Sequence, residues 1–106
     1  MSEYALVVTG IPECKLSVPE LRDQQARYRR VAQWVDELRR DGREVVVRLT
    51  PGADQDLVRE VVAVERDCCP FYAISYDAGA GILRFGVDEP SLEPALEAIE
   101  YALRRE

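Results

Sequence analysis

An apolar run from Tyr4 to Thr9 ends at Gly10-Ile11-Pro12, which predicts a buried strand followed by a loop carrying Cys14. A long segment follows in which Leu21, Tyr28, Val31, Val35 and Leu38 recur at helical spacing. Ser17 and Glu20 ahead of it have the spacing of a capping box, Pro19 suits the first turn, and Asp41-Gly42 supplies a stop, so one long helix is expected. Glu44 to Leu49 is β-branched and apolar before Pro51-Gly52, the pattern of a second strand. Asp54 is placed to cap a second helix with Leu57, Val61, Val64 and Cys68 on its inner face, until Pro70 stops it. Phe71 to Tyr76 and Ile82 to Val87 read as strands joined into a hairpin by Asp77-Ala78-Gly79-Ala80-Gly81. Ser91 opens a last helix with Leu92, Leu96, Ile99 and Leu103 inward, and Arg104 and Arg105 suit its C-terminus.

The expected order is βαβαββα: a single α+β domain over residues 1–106, folded as a two-layer sandwich on a mixed four-stranded sheet. A length of 106 residues with 47% hydrophobic and 32% charged side chains suits one core that needs no disulfide or metal to hold it. The first strand and long helix would fit packing across a dimer axis equally well. Trp34, at the margin of the apolar stripe, reads as an interface anchor and adds to the expectation of a homodimer.

Composition then removes whole classes of function. The chain contains no histidine, which excludes Ser-His-Asp and Cys-His nucleophile systems, zinc-protease helices, two-His-one-carboxylate iron sites and Cys2His2 fingers. A net charge of −6 repels phosphate backbones, so no nucleic-acid partner is expected. No apolar run has the length of a membrane span, and Met1-Ser2-Glu3-Tyr4 lacks the basic start of a signal peptide, so the expected location is cytoplasmic. Lys15 is the only lysine and asparagine is absent, a composition like the codon bias of GC-rich bacterial genomes. Three cysteines, an odd number, argue against a disulfide framework and for reduced thiols.

The candidate chemistry lies in Glu65-Arg66-Asp67-Cys68-Cys69-Pro70-Phe71, where the second helix meets the third strand. Adjacent thiols suit a soft ion such as Hg(II), As(III), Cu(I) or Zn(II), because those ions prefer thiolate to carboxylate or amide. Two neighbours do not complete a coordination shell, so Cys14 is the candidate third ligand, which requires the first and third strands to lie close together. The alternatives are thiols that only pack, since cysteine is among the most buried residue types, and thiols that exchange through a vicinal disulfide. A helix C-terminus carries partial negative charge, and Glu65 and Asp67 add to it, which disfavours thiolate unless Arg66 or a metal counters it.

The heptapeptide, with Cys14-Lys15-Leu16-Ser17 opening an Arg-rich helix and Asp41-Gly42 preceding a strand, resembles a family of small, uncharacterised bacterial proteins marked by Glu-x-x-Cys-Cys-Pro-Phe. The resemblance covers Cys14 to the last helix. It implies a link to heavy-metal or metalloid resistance, with Cys14, Cys68 and Cys69 matching the cysteines of the pattern and Glu65 its acid, and it implies no reaction.

Weaker constellations complete the set. Arg27, Arg29, Arg30, Arg39 and Arg40 are either an anion site or a solvated helix face. Tyr4, Tyr28, Tyr72, Tyr76 and Tyr101 either line a small-molecule cavity, with Glu65 as general acid or base, or close the core. Gly79-x-Gly81 lacks the rest of a dinucleotide fingerprint. The leading expectation is a non-enzymatic soft-metal or metalloid binder acting as a carrier, a sequestering module or the partner of a metal-handling sensor. An interaction domain with packed cysteines and a small-molecule cavity protein stand beside it. Metal binding calls for solvent-reachable thiols near Cys14, packing for buried thiols with apolar neighbours, and the cavity for a pocket lined by tyrosines.

Overall fold

The computed structural model describes residues 17–104, so the Tyr4 to Thr9 strand, Tyr4 itself and Cys14 lie outside the described residues. Helix α1 (Val18–Ala32) starts as expected: Ser17 accepts from the Glu20 backbone N–H, and the Ser17 N–H donates to Glu20 Oε1 at 2.9 Å. The Ser17 backbone N–H, and after it the Ser17 hydroxyl, hold the Glu20 carboxyl below its ordinary pKa. The helix ends at Ala32 with Gln33 as C-cap, well short of Asp41.

The expected long helix is therefore corrected. Val35–Asp41 forms strand β1 and Glu44–Leu49 forms β2, and Asp41 faces Glu44 across a two-residue turn. Gly42 sits there at φ 62° and, among the described residues, no non-glycine residue has positive φ, which suits a type II′ hairpin turn. A bulge between Val35 and Glu37 places one extra residue in β1, so its inward positions fall at Val35, Leu38 and Arg40. The first interval, three residues instead of two, continues the helical spacing of Tyr28 and Val31 and mimics a helix that is not there.

Helix α2 (Gln55–Cys68), capped by Asp54 Oδ1 on the Leu57 N–H at 3.2 Å, leads to β3 (Ala73–Asp77) and β4 (Ile82–Gly86). A 3-10 turn at Pro90–Leu92 precedes α3 (Glu93–Leu103), so Ser91 lies ahead of the helix without capping it. The strand order is β1-β2-β4-β3 with every neighbouring pair antiparallel, so among the described residues the sheet is not mixed and the element order is αββαββα. β4 inserts between β2 and β3, which run parallel to each other on either side of it.

Register explains which face is buried. The cross-strand rows Leu38, Val47, Leu83, Tyr76 and Arg40, Val45, Phe85, Ile74 point toward the helices. The opposite face carries Arg39, Arg48, Arg84 and Ser75, with Glu44 paired to Arg84 at 3.2 Å and Glu37 to Arg48 at 3.0 Å. Helices cover one face and charged side chains the other, giving two layers among the described residues. Val45, Val47, Leu83, Phe85, Val58, Val61, Leu96 and Leu103 form the fully enclosed centre. Trp34 packs against this core at the α1–β1 junction and is half-buried.

The β3–β4 connection depends on Gly81. Its φ is +70°, and a Cβ there would stand 2.9 Å from Leu49 O, while its own carbonyl accepts from the Leu49 N–H at 2.8 Å. Gly81→Ala is expected to lower stability by about 1–3 kcal/mol, combining left-handed strain with that close approach. Chemical denaturation beside Gly52→Ala, where a Cβ meets nothing within 4 Å and φ is not in the left-handed region, checks it.

Candidate functional site: the thiol end of α2 and its buried acid

The C-terminus of α2 brings the singled-out heptapeptide to the edge of the core. Cys68 is the last helical residue, and Cys69 leaves the helix at φ −130°, ψ 72°. The Cys69 N–H still donates to Glu65 O at 2.8 Å, and the Tyr72 N–H donates to Cys69 O at 3.2 Å, closing a tight turn over Pro70. A regular helix would point successive side chains about 100° apart. The break in the helix lets both thiols enter the same apolar cluster, where Cys68 is 7% and Cys69 5% exposed. The turn is anchored from the far side by the Tyr72 hydroxyl, which donates to Ala95 O on α3 at 2.7 Å.

One turn back from the thiols, Glu65 is only 9% exposed and is the only buried acid among the described residues. The Tyr28 hydroxyl donates to its Oε1 at 2.6 Å and Gln24 Nε2 donates to the same oxygen at 3.1 Å. Gln24 Nε2 also reaches Val61 O, and Gln24 Oε1 accepts from Arg27 at 2.9 Å. Arg27 can only donate, which orients the amide with its nitrogen toward Glu65. The result is a relay of hydrogen bonds, Arg27 to Gln24 to Glu65, that ties α1 to α2 through the core. A buried acid with this support is tolerable because its polar partners replace water.

Of the three predicted thiols, the structure brings Cys68 and Cys69 together; Cys14 lies outside the described residues, and no group of three potential ligands forms among the described residues. Burial meets the requirement set for packed cysteines and runs against the solvent reach set for a metal site. The described tyrosines stand in different surroundings. Tyr28 and Tyr72 close on Phe85 with ring centroids at 6.4 and 6.0 Å, Tyr101 is exposed, and Tyr76 lines a separate surface groove. The arginines also disperse: Arg27 pairs with Glu60, Arg39 with Asp41, and Arg40 with Glu100, so they form no common anion site. Gly79 and Gly81 belong to the β3–β4 hairpin.

Gln24 and its link to Glu65 were missed from sequence, although a glutamine between Leu21 and Tyr28 on the apolar stripe was the available signal. No protein-family model, no curated protein and no solved structure matches the chain. No described helix is long and apolar enough to cross a membrane.

Proposed function

We propose that the protein binds a soft metal or metalloid ion through Cys68 and Cys69, with Cys14 contributing a third sulfur, and that it acts as a carrier, a sequestering module or the partner of a metal-handling sensor. The observation that carries this reading is the break at Cys69, which turns two consecutive thiols into one apolar enclosure. Such surroundings suit an ion held by sulfur alone, because Hg(II), As(III) and Cu(I) give up water readily for thiolate. They are poor for Ca(II) or Mg(II), which need several oxygen ligands. Burial also has a kinetic consequence: loading requires the turn over Pro70 to open, so metal uptake is slow relative to diffusion.

A second reading is favoured by the same burial: the thiols pack the end of α2 and the domain serves as a non-catalytic interaction module. An anaerobic titration of the reduced protein with Hg(II), As(III), Cu(I) and Zn(II), followed by native mass spectrometry and thiol counting, separates the two. The expected result is one ion per chain, lost in the Cys68→Ser/Cys69→Ser variant and weakened in Cys14→Ser. Thiols that stay unreactive until the protein unfolds, with no ion retained, would establish packing alone.

A further inference from the structure

α2 carries a second constellation on its outward side, independent of the thiols. Arg59, Ala63 and Arg66 stand on one exposed stripe at spacings of four and three residues, and with Val62 and Tyr76 they line a groove of about 330 Å³. Both guanidinium groups are held in place. Arg66 donates to Ile74 O on the edge strand at 2.6 Å, and Arg59 lies 6.0 Å from the centre of the Tyr76 ring. Two cations and no carboxylate line this groove in a chain whose net charge is −6, so the local charge is opposite to that of the whole.

The acids nearby are otherwise placed. Asp56 lies 3.7 Å from Arg59 but is 98% exposed, a pair that water screens strongly. Glu60 pairs with Arg27, and Asp77 accepts from the Ala80 N–H. A guanidinium has five N–H donors, so the bond to Ile74 leaves Arg66 with donors for a ligand. Val62 and Ala63 give an apolar floor, and Ala63, between the two arginines, keeps it open. Burial raises the Tyr76 phenol against the smaller opposing pull of Arg59, so at neutral pH its hydroxyl keeps the proton it would donate to an anion.

We infer that this groove binds a small organic carboxylate with an aromatic body, the carboxylate on Arg59 and Arg66 and the ring against Val62, Ala63 and Tyr76. The volume is at the lower end for small-molecule sites. An inorganic anion would use the cations and gain nothing from the apolar floor, whereas a neutral aromatic would leave both charges unanswered.

The test is an amide-resolved NMR titration with phenylacetate, beside phenylacetamide and inorganic phosphate as probes. Phenylacetate is expected to give saturable shifts centred on Arg59, Ala63, Arg66 and Tyr76, with the other two probes binding about tenfold or more weakly. Arg59→Gln is expected to weaken binding about tenfold, the worth of a charge-assisted contact. Ala63→Leu is expected to abolish it with both arginines intact. Arg59 and Ala63 are both exposed, and circular dichroism verifies that the variants fold. Absence of saturation, shifts scattered away from α2, phosphate binding as tightly as phenylacetate, or unchanged affinity in Ala63→Leu would each overturn the inference.

Discussion

Replacing Phe85 with alanine is expected to lower the unfolding free energy by about 3–5 kcal/mol, a large share of the roughly 5–15 kcal/mol typical of a small domain. Phe85 is fully buried on β4, an interior strand, and it lies in the inward row with Val45 and Ile74. Tyr28 from α1 and Tyr72 from the thiol turn both pack against its ring. Removal of the ring leaves a void bordered by two aromatic groups that are themselves tied down by hydrogen bonds to Glu65 and Ala95, so the walls cannot easily collapse inward. Urea unfolding monitored by circular dichroism measures the change. Val46→Ala is the comparison: Val46 is 5% exposed but lies on the opposite face, between Arg39 and Arg84 in the cross-strand row. Its expected cost is about 1 kcal/mol, because flexible arginine stems can close over the gap. Equal losses at the two positions would contradict a single buried face.

The second large effect is expected at Glu65. Glu65→Ala removes the acceptor shared by Tyr28 and Gln24, with an expected loss of about 2–4 kcal/mol from two buried hydrogen bonds and their desolvated donors. Glu65→Gln keeps a carbonyl acceptor in place and is expected to cost about half as much. A cycle with Tyr28→Phe isolates the bond at 2.6 Å. If that bond acts as the geometry indicates, the double variant loses about 1–3 kcal/mol less than the sum of the single variants. Additive losses would instead mean that Glu65 acts through packing. The same variants bear on the metal reading, because the relay holds α2 just ahead of Cys68. A loosened α2 end should make the thiols react faster with a bulky thiol reagent, read under conditions where each variant remains folded.

Much of this architecture was legible from local chemistry. The Ser17–Glu20 box, the Asp54 cap, the extent of β2 and the hairpin between β3 and β4 each depend on a few neighbouring residues, and each was found. The inward placement of Cys68 followed from its spacing with Leu57 and Val61. β1 was not legible because the bulge at Val35/Glu37 reproduces helical spacing, while the charges at Asp36, Glu37, Arg39 and Asp41 conceal a strand whose outer side faces water. Asp41-Gly42 was read as a helix stop when it is the start of a hairpin turn: a glycine after an acid terminates either element, and only the pairing partner decides. The shared acid of α1 and α2 joins Gln24 to Glu65 across 41 positions of sequence, beyond the reach of any local pattern. The same limit hid the groove, whose arginines look like ordinary solvated positions until Tyr76 is placed beside them.

Among the described residues, the two border strands of the sheet have a consequence for behaviour at high concentration. β1 turns Arg40 inward, where it meets Glu100 at 3.0 Å and Glu93 at 3.9 Å on α3, and turns charged side chains outward along the rest of its length. At the other border, Arg66 occupies the carbonyl of Ile74 on β3. An incoming foreign strand would have to desolvate the charges of β1 or displace the guanidinium from β3 before it gained its first ladder bonds. Open sheets commonly polymerise through such borders; here both ends carry a barrier to fibril growth, supplied by arginines that contribute little to the apolar core.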